Sequence, residues 1–269
     1  MFGAATPVRC WALIDSMKIE SLKIDEVAMP AIRLPIAAIG FVLCSIGANA
    51  TPITVINHSF EAPVAAPSTF VGGINTAPAG WSVYNTIAPN GFRYFGVWNP
   101  TGSNSYVNFA PDGANVGVVF LQNTTNLAEA GLRQTLTETL QSFTTYTLTV
   151  EVGNFAPALS PIPFDFTGFP GYRVDLLAGG VVIASDNNTL APPEGYFQTS
   201  TVSFVTGAVH ANLGQALGIR LVNLNGSGIE VNFDNVRLDA VAAPSPAAAA
   251  SLGLGFVLLG LLRRRASAA

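Results

Sequence analysis

The side chains able to do chemistry are few and widely spaced in this 269-residue chain. There are two histidines, His58 inside the strand motif Asn57-His58-Ser59-Phe60-Glu61 and His210 within a loop-like AVHANLG segment. No G-x-S-x-G elbow, H-E-x-x-H pair, P-loop or dinucleotide fingerprint accompanies them. The two cysteines, Cys10 and Cys44, precede residue 51, so the region 51–240 has no thiol. Disulfide scaffolds, thiolate zinc sites and cysteine nucleophiles are excluded there. Glu129, Glu151, Asp175 and Glu194 are available as paired carboxylates for glycoside hydrolysis, but such pairing depends on separation in the fold. They read as solvated charges, and the expectation is a protein that is not an enzyme.

Aromatic side chains are better grouped. Residues 84–106 hold Phe92, Tyr94, Phe95, Trp98 and Tyr106 among Gly, Asn, Pro and Ser. Rings of this kind stack on the apolar C–H faces of sugars, while amides bond the hydroxyls. Tyr94, Trp98 and Tyr106 are therefore the candidate carbohydrate-binding residues. The alternative is that these rings cover the core, as expected for Trp81. The protein would then be a non-catalytic structural surface protein without a specific glycan ligand.

Those residues need a scaffold, and the region 51–240 reads as one β-domain. Tyr146, Leu148, Val150 and Val152 alternate with Thr147, Thr149 and Glu151, the period of a half-buried strand. Tyr172, Val174 and Leu176 alternate with Arg173 and Asp175, and Gly179-Gly180 then supplies a two-residue hairpin. Further strands are predicted at 117–121, 132–136, 199–205, 217–224 and 229–238, with a short helical turn at 127–131. Many short strands with Gly, Pro and Asn turns mean an all-β sandwich or jelly roll. Ile229, Val231 and Phe233 sit at odd positions but Val236 and Leu238 at even ones, which predicts a bulge at Asp234-Asn235. This region carries five arginines, no lysine and twelve acids, a net charge of −7. Its few cations are scattered, which excludes nucleic acid as a partner.

The two ends differ from the middle. Residues 29–50 place Arg33, an apolar run and Ala48-Asn49-Ala50 in the order of a secretory signal peptide, with lipoprotein processing at Cys44 as the rival. Residues 1–28 then read as an extension before the true start. Residues 247–262 are uncharged and span ~24 Å as a helix; Arg263, Arg264 and Arg265 follow. With Pro244, Ser245 and Pro246 before it, the segment 241–269 resembles a PEP-CTERM sorting signal. That resemblance implies processing by an exosortase, a membrane helix, and export across the inner membrane to the cell surface or matrix. Ser245 stands where the family has glutamate, which leaves a retained membrane-anchored precursor as the alternative.

A second resemblance spans the middle. Asn57–Glu61, Gly80-Trp81, the 132–136 and 146–150 blocks, and Asn232-Phe233-Asp234-Asn235-Val236-Arg237-Leu238 resemble the galactose-binding-like jelly rolls that include carbohydrate-binding modules. It implies a polysaccharide partner. It also implies a structural calcium ion held by Glu61 and Asp234, hard oxygen ligands of the right kind. The alternative is that Glu61 caps a turn and Asp234 bonds a backbone amide.

Overall fold

The computed structural model describes residues 49–85, 92–122, 129–156 and 164–243, all within one compact unit. The expected extension 1–28, nearly all of the signal segment 29–50, and the tail with Pro244 to Arg265 lie outside the described residues. Among those described, no helix is long and apolar enough to cross a membrane.

Twelve strands are described: β1 (Thr51–Ile53), β2 (Phe70–Gly73), β3 (Ser82–Asn85), β4 (Phe92–Trp98), β5 (Val116–Gln122) and β6 (Ala130–Thr139), then β7 (Thr144–Asn154), β8 (Tyr172–Ala178), β9 (Val181–Asn187), β10 (Tyr196–Val205), β11 (Ala216–Asn223) and β12 (Glu230–Ala242). They form two antiparallel sheets, the all-β sandwich expected. One has the order β10-β7-β12-β5-β4-β2, with β1 added to β12, and the other β3-β6-β11-β8-β9. The period-two reading of β7 holds, with Tyr146, Leu148, Val150 and Val152 all buried between the sheets. Gly179 and Gly180 both take positive φ in the β8–β9 turn, a conformation that favours glycine. Trp81 is in the core, stacked on Phe60 at 5.3 Å.

The bulge falls where the parity change put it. Between Asp234 and Arg237, β12 advances three residues while β7 advances two, from Glu151 to Thr149. Asn235 absorbs the extra residue at φ 49°, and Val236 N–H bonds the His58 carbonyl instead of β7. Two local expectations are corrected. His58 lies in a turn over 56–59 and not in a strand, because Asn57 and Phe60 take positive φ. Residues 130–131, read as part of a helical turn, begin β6, where they pair with Val222 and Asn223.

The larger sheet is buried on both faces near its centre. Val119, Leu121, Val231 and Phe233 point between the sheets. The opposite face of β4, β5 and β12 is covered by a second apolar cluster of Trp98, Tyr106, Val116, Val118, Phe120, Phe155 and Phe166. Each such burial contributes roughly 1.5–3 kcal/mol. Consequently β5 has no solvent face, and Val116–Leu121 are all buried.

Candidate active site

The second cluster does not close completely. Side chains alternate across a strand, so β5 offers Val118 and Phe120 and β4 offers Tyr94 and Trp98 to one cavity of about 210 Å³. Phe155, Phe164 and Phe166 supply its other side, with Phe70 from β2 at the edge. Gly96 permits the approach of β2: a Cβ there would stand 2.3 Å from the Val71 carbonyl oxygen and 2.9 Å from the Phe70 ring. The rings meet at 4.6 Å (Phe155–Phe166), 5.0 Å (Phe120–Phe164), 5.7 Å (Tyr94–Phe120) and 6.0 Å (Trp98–Phe155).

One carboxyl lines this aromatic cavity. Glu230, the first residue of β12, is 8% exposed. Burial pushes its carboxyl up to about 7, partly offset by the hydrogen bond from Asn232. Asn232 Nδ2 donates to Glu230 Oε1 at 3.0 Å and to the Gly117 carbonyl at 3.2 Å. Its Oδ1 accepts from the Tyr106 hydroxyl at 2.5 Å. Burial, and then the charge of Glu230, hold the Tyr106 phenol well above its ordinary range, so it stays a neutral donor. A carboxylic acid that still holds about half of its protons near pH 7 in an apolar cleft is equipped to donate one.

The residues singled out in the sequence are placed as follows. Tyr94 and Trp98 line the cavity together, whereas Tyr106 is 2% exposed and packs behind Asn232, 4.3 Å from the Phe197 ring. Glu61 Oε1 accepts the amides of Ala114 and Asn115, both at 2.8 Å. Asp234 accepts the amides of Asp112 at 2.8 Å and Asn235 at 2.7 Å. Both carboxylates thus hold the loop leading into β5. Asp234 has no exposed surface; burial, and then the charges of Asp112 and Glu61, push it up to about 8. Among the described residues no group of three or more His, Cys, Asp or Glu side chains is placed to hold a metal.

Four carboxylates read as solvated charges have partners. Asp175 is fully buried between Arg173 at 3.0 Å and Arg220 at 2.7 Å. Glu129 takes Arg173 at 2.5 and 2.8 Å. Glu151 bonds Thr199, and Glu194 bonds the Gly168 amide. A larger hollow of about 330 Å³ lies beside β1 and β12, lined by His58, Arg237 and Asp239 among others, and it holds no buried acid. Glu230 was not singled out in the sequence. The available signal was Glu230, Asn232 and Asp234 at alternate positions of an otherwise apolar strand, together with four phenylalanines at 155, 164, 166 and 169 able to cover that face.

The fold and cavity define a β-sandwich protein with an aromatic-lined cavity on the outer face of its larger sheet. The chain belongs to the HpiC1-like family, described as HpiC1 cyclase, which it matches over residues 51–239. The crystal structure of the Stig cyclase Fisc from Fischerella sp. TAU, in complex with (3Z)-3-(1-methyl-2-pyrrolidinylidene)-3H-indole, is 39% identical. It aligns with a TM-score of 0.66 over 72% of this chain and 100% of that one. A cyclase from Fischerella sp. TAU in complex with 4-(1H-indol-3-yl)butan-2-one is 40% identical, with a TM-score of 0.63, over 72% of this chain and 100% of that one. Among curated proteins, none matches the chain.

These matches correct several expectations. The folded region belongs to a family of cyclases, so the PEP-CTERM carbohydrate-binding assignment and the expectation of a non-enzyme are both overturned. The expected polysaccharide, exosortase and membrane partners are overturned with that assignment; the cyclase relatives are solved with indole compounds. The rings at Tyr94 and Trp98 were read as a sugar platform because a stacking ring looks the same in sequence whether it faces water or closes a cleft.

Proposed function

We propose that the protein is a cyclase that closes a ring within an apolar, indole-bearing small molecule, with Glu230 as the proton donor. The observation that carries this reading is the buried Glu230 carboxyl, its acidity weakened by burial, in a cavity otherwise lined by aromatic and aliphatic side chains. Glu230 gives its proton to a basic nitrogen or double bond of the ligand and leaves an electron-poor carbon. A π pair elsewhere in the same molecule attacks that carbon, one ring bond forms, and the resulting cation returns a proton to the Glu230 carboxylate. The product is an isomer of the substrate, with no net gain or loss of protons. The faces of Phe120, Phe155 and Trp98 are electron-rich and stabilise positive charge by about 0.5–2 kcal/mol each where desolvated. A cleft lined mainly by rings and aliphatic carbons favours capture of the cation by the ligand's own π bond over capture by water.

Calcium belongs to the same proposal as a structural ion. The buried Asp234 carboxylate feels the negative charges of Asp112 and Glu61, a repulsion that a divalent cation beside Asp234 and Glu61 would offset. Glu61 and Asp234 would hold it, with carbonyl and water oxygens completing the shell. Bound there, the ion would supply positive charge favouring the ionised form of Asp234. Export is likewise proposed, on the signal-peptide pattern of residues 29–50; N-terminal sequencing of the mature protein tests it, and a start at residue 51 is the expected result.

The functional reading is tested with a panel of indoles carrying an unsaturated side chain, followed by NMR and mass spectrometry. New ring signals at unchanged mass, lost in Glu230→Gln, are expected. Turnover that Glu230→Gln leaves intact would remove Glu230 from the chemistry.

A further inference from the structure

We propose that Asn232, held by Tyr106, is a positioning residue that decides which oxygen of Glu230 carries the transferable proton. This rests on the reading of Glu230 as proton donor, and it follows from hydrogen-bond bookkeeping around one buried amide.

Asn232 has no exposed surface, so its polar atoms must find partners inside the protein. The Gly117 carbonyl, 3.2 Å from Nδ2, can only accept. Turning the amide over would set Oδ1 against that carbonyl, acceptor to acceptor. The Tyr106 hydroxyl, able to donate or accept, then donates to the Oδ1 so presented, at 2.5 Å. Nδ2 therefore faces Glu230 and donates to Oε1 at 3.0 Å.

A neutral carboxyl has one carbonyl oxygen, the better acceptor, and one hydroxyl oxygen. With a fixed donor against Oε1, that atom is the carbonyl oxygen and the proton resides on Oε2. Among the described residues Oε2 has no hydrogen-bond partner, and Glu230 lines the cavity, so the proton is left for the ligand. When it leaves, the O–H electron pair stays on the carboxylate and the Asn232 bond to Oε1 becomes charge-assisted, hence stronger. The same amide thus directs the proton and stabilises the anion that remains. Tyr106 acts on the acid only through Asn232, across 126 residues of sequence.

The surroundings of Glu230 add no competing charge. Its own strand faces it with Asn232, β5 with Val118 and Phe120, β4 with Tyr94 and Trp98, and the remaining segments with Tyr106, Phe155, Phe164 and Phe166. The titratable groups among these are the two tyrosines. A change at Asn232 therefore reports on the acid directly.

The test uses infrared difference spectroscopy of the ligand-free protein titrated across pH 5–9, followed by pH–rate profiles. The C=O stretch of neutral Glu230 is the band absent from Glu230→Gln. In Asn232→Leu it should shift to higher wavenumber, because its oxygen has lost a donor. The alkaline limb of kcat should move upward, and kcat should fall by about tenfold or more, with KM within about twofold. Tyr106→Phe, the milder change, should move the band and kcat in the same directions by less, and it carries the test if Asn232→Leu does not fold. A band and an alkaline limb unmoved in the folded variants overturn the positioning role while Glu230→Gln remains inactive. Full turnover by Glu230→Gln overturns the proton-donor reading, and this inference falls with it.

Discussion

Glu230 stands directly opposite Phe120 in the register of β12 against β5. Directly opposed residues of an antiparallel pair project to the same face, so a carboxyl and an aromatic ring share one wall of the cavity. That neighbour replaces the water that would otherwise solvate the charged form, and burial is the dominant cause of the raised acid.

The first prediction concerns pH. The acid form of Glu230 does the work, so kcat should be highest below about 7 and decline as pH rises through that value. Glu230→Gln should lose on the order of 10²–10⁴-fold in kcat while still binding 4-(1H-indol-3-yl)butan-2-one, followed by tryptophan fluorescence. A flat pH profile from 5 to 9 would contradict it.

The same group affects folding. Its carboxyl ionises near 4.5 when unfolded but near 7 in the folded protein. Below 4.5 both states are protonated and there is no penalty. Between 4.5 and 7 the unfolded state ionises first, so rising pH destabilises the fold, by roughly 3 kcal/mol when complete. Urea unfolding of wild type and Glu230→Gln at pH 4.5, 6 and 8 should show the difference between them change in favour of the variant. Parallel stabilities across that range would contradict the raised acid.

The aromatic wall is separable from mere apolarity. Phe155 touches Trp98, Tyr106 and Phe166 and lines the cavity. Phe155→Leu retains most of the volume but removes the π face. Ligand affinity should change little, and ring closure should slow by about tenfold, the share of a cation–π contact. Phe155→Ala should also lower stability by roughly 3 kcal/mol through the enlarged cavity. Equal rates for Phe155→Leu and wild type would mean that the rings act only as packing.

Calcium should act on stability before it acts on turnover. At a hundredfold excess over its Kd, an ion that binds only the folded state adds about 2.7 kcal/mol. The melting temperature should therefore rise with calcium and return with EDTA in wild type, but not in Asp234→Asn or Glu61→Gln. A melting temperature indifferent to both reagents would sink the calcium proposal.

Much of the sandwich was legible because its signals are local. The alternation at 146–152, the Gly179-Gly180 turn and the parity change at Asp234-Asn235 each depend on a handful of neighbours, and each appears in the fold. The outward face of β12 was not legible by the same rule. Alternation assigns Glu230, Asn232 and Asp234 to solvent, since Val231 and Phe233 face the core. Whether that second face meets water depends on the segment around 99–115 and on Phe155, Phe164 and Phe166, which are remote in the chain.

What the sequence determined by itself was therefore the class of fold, the position of the bulge, and the absence of cysteine from residues 51–240. Those follow from composition and from the two-residue period of a strand. Only the tertiary structure decided that Tyr94 and Trp98 line one cleft and that Glu230 is buried in its wall, which raises its carboxyl. Burial is a property of what packs on a residue, and a carboxyl's acidity follows burial. Tyr106, Asn232 and Glu230 become one unit only when loop and strand meet.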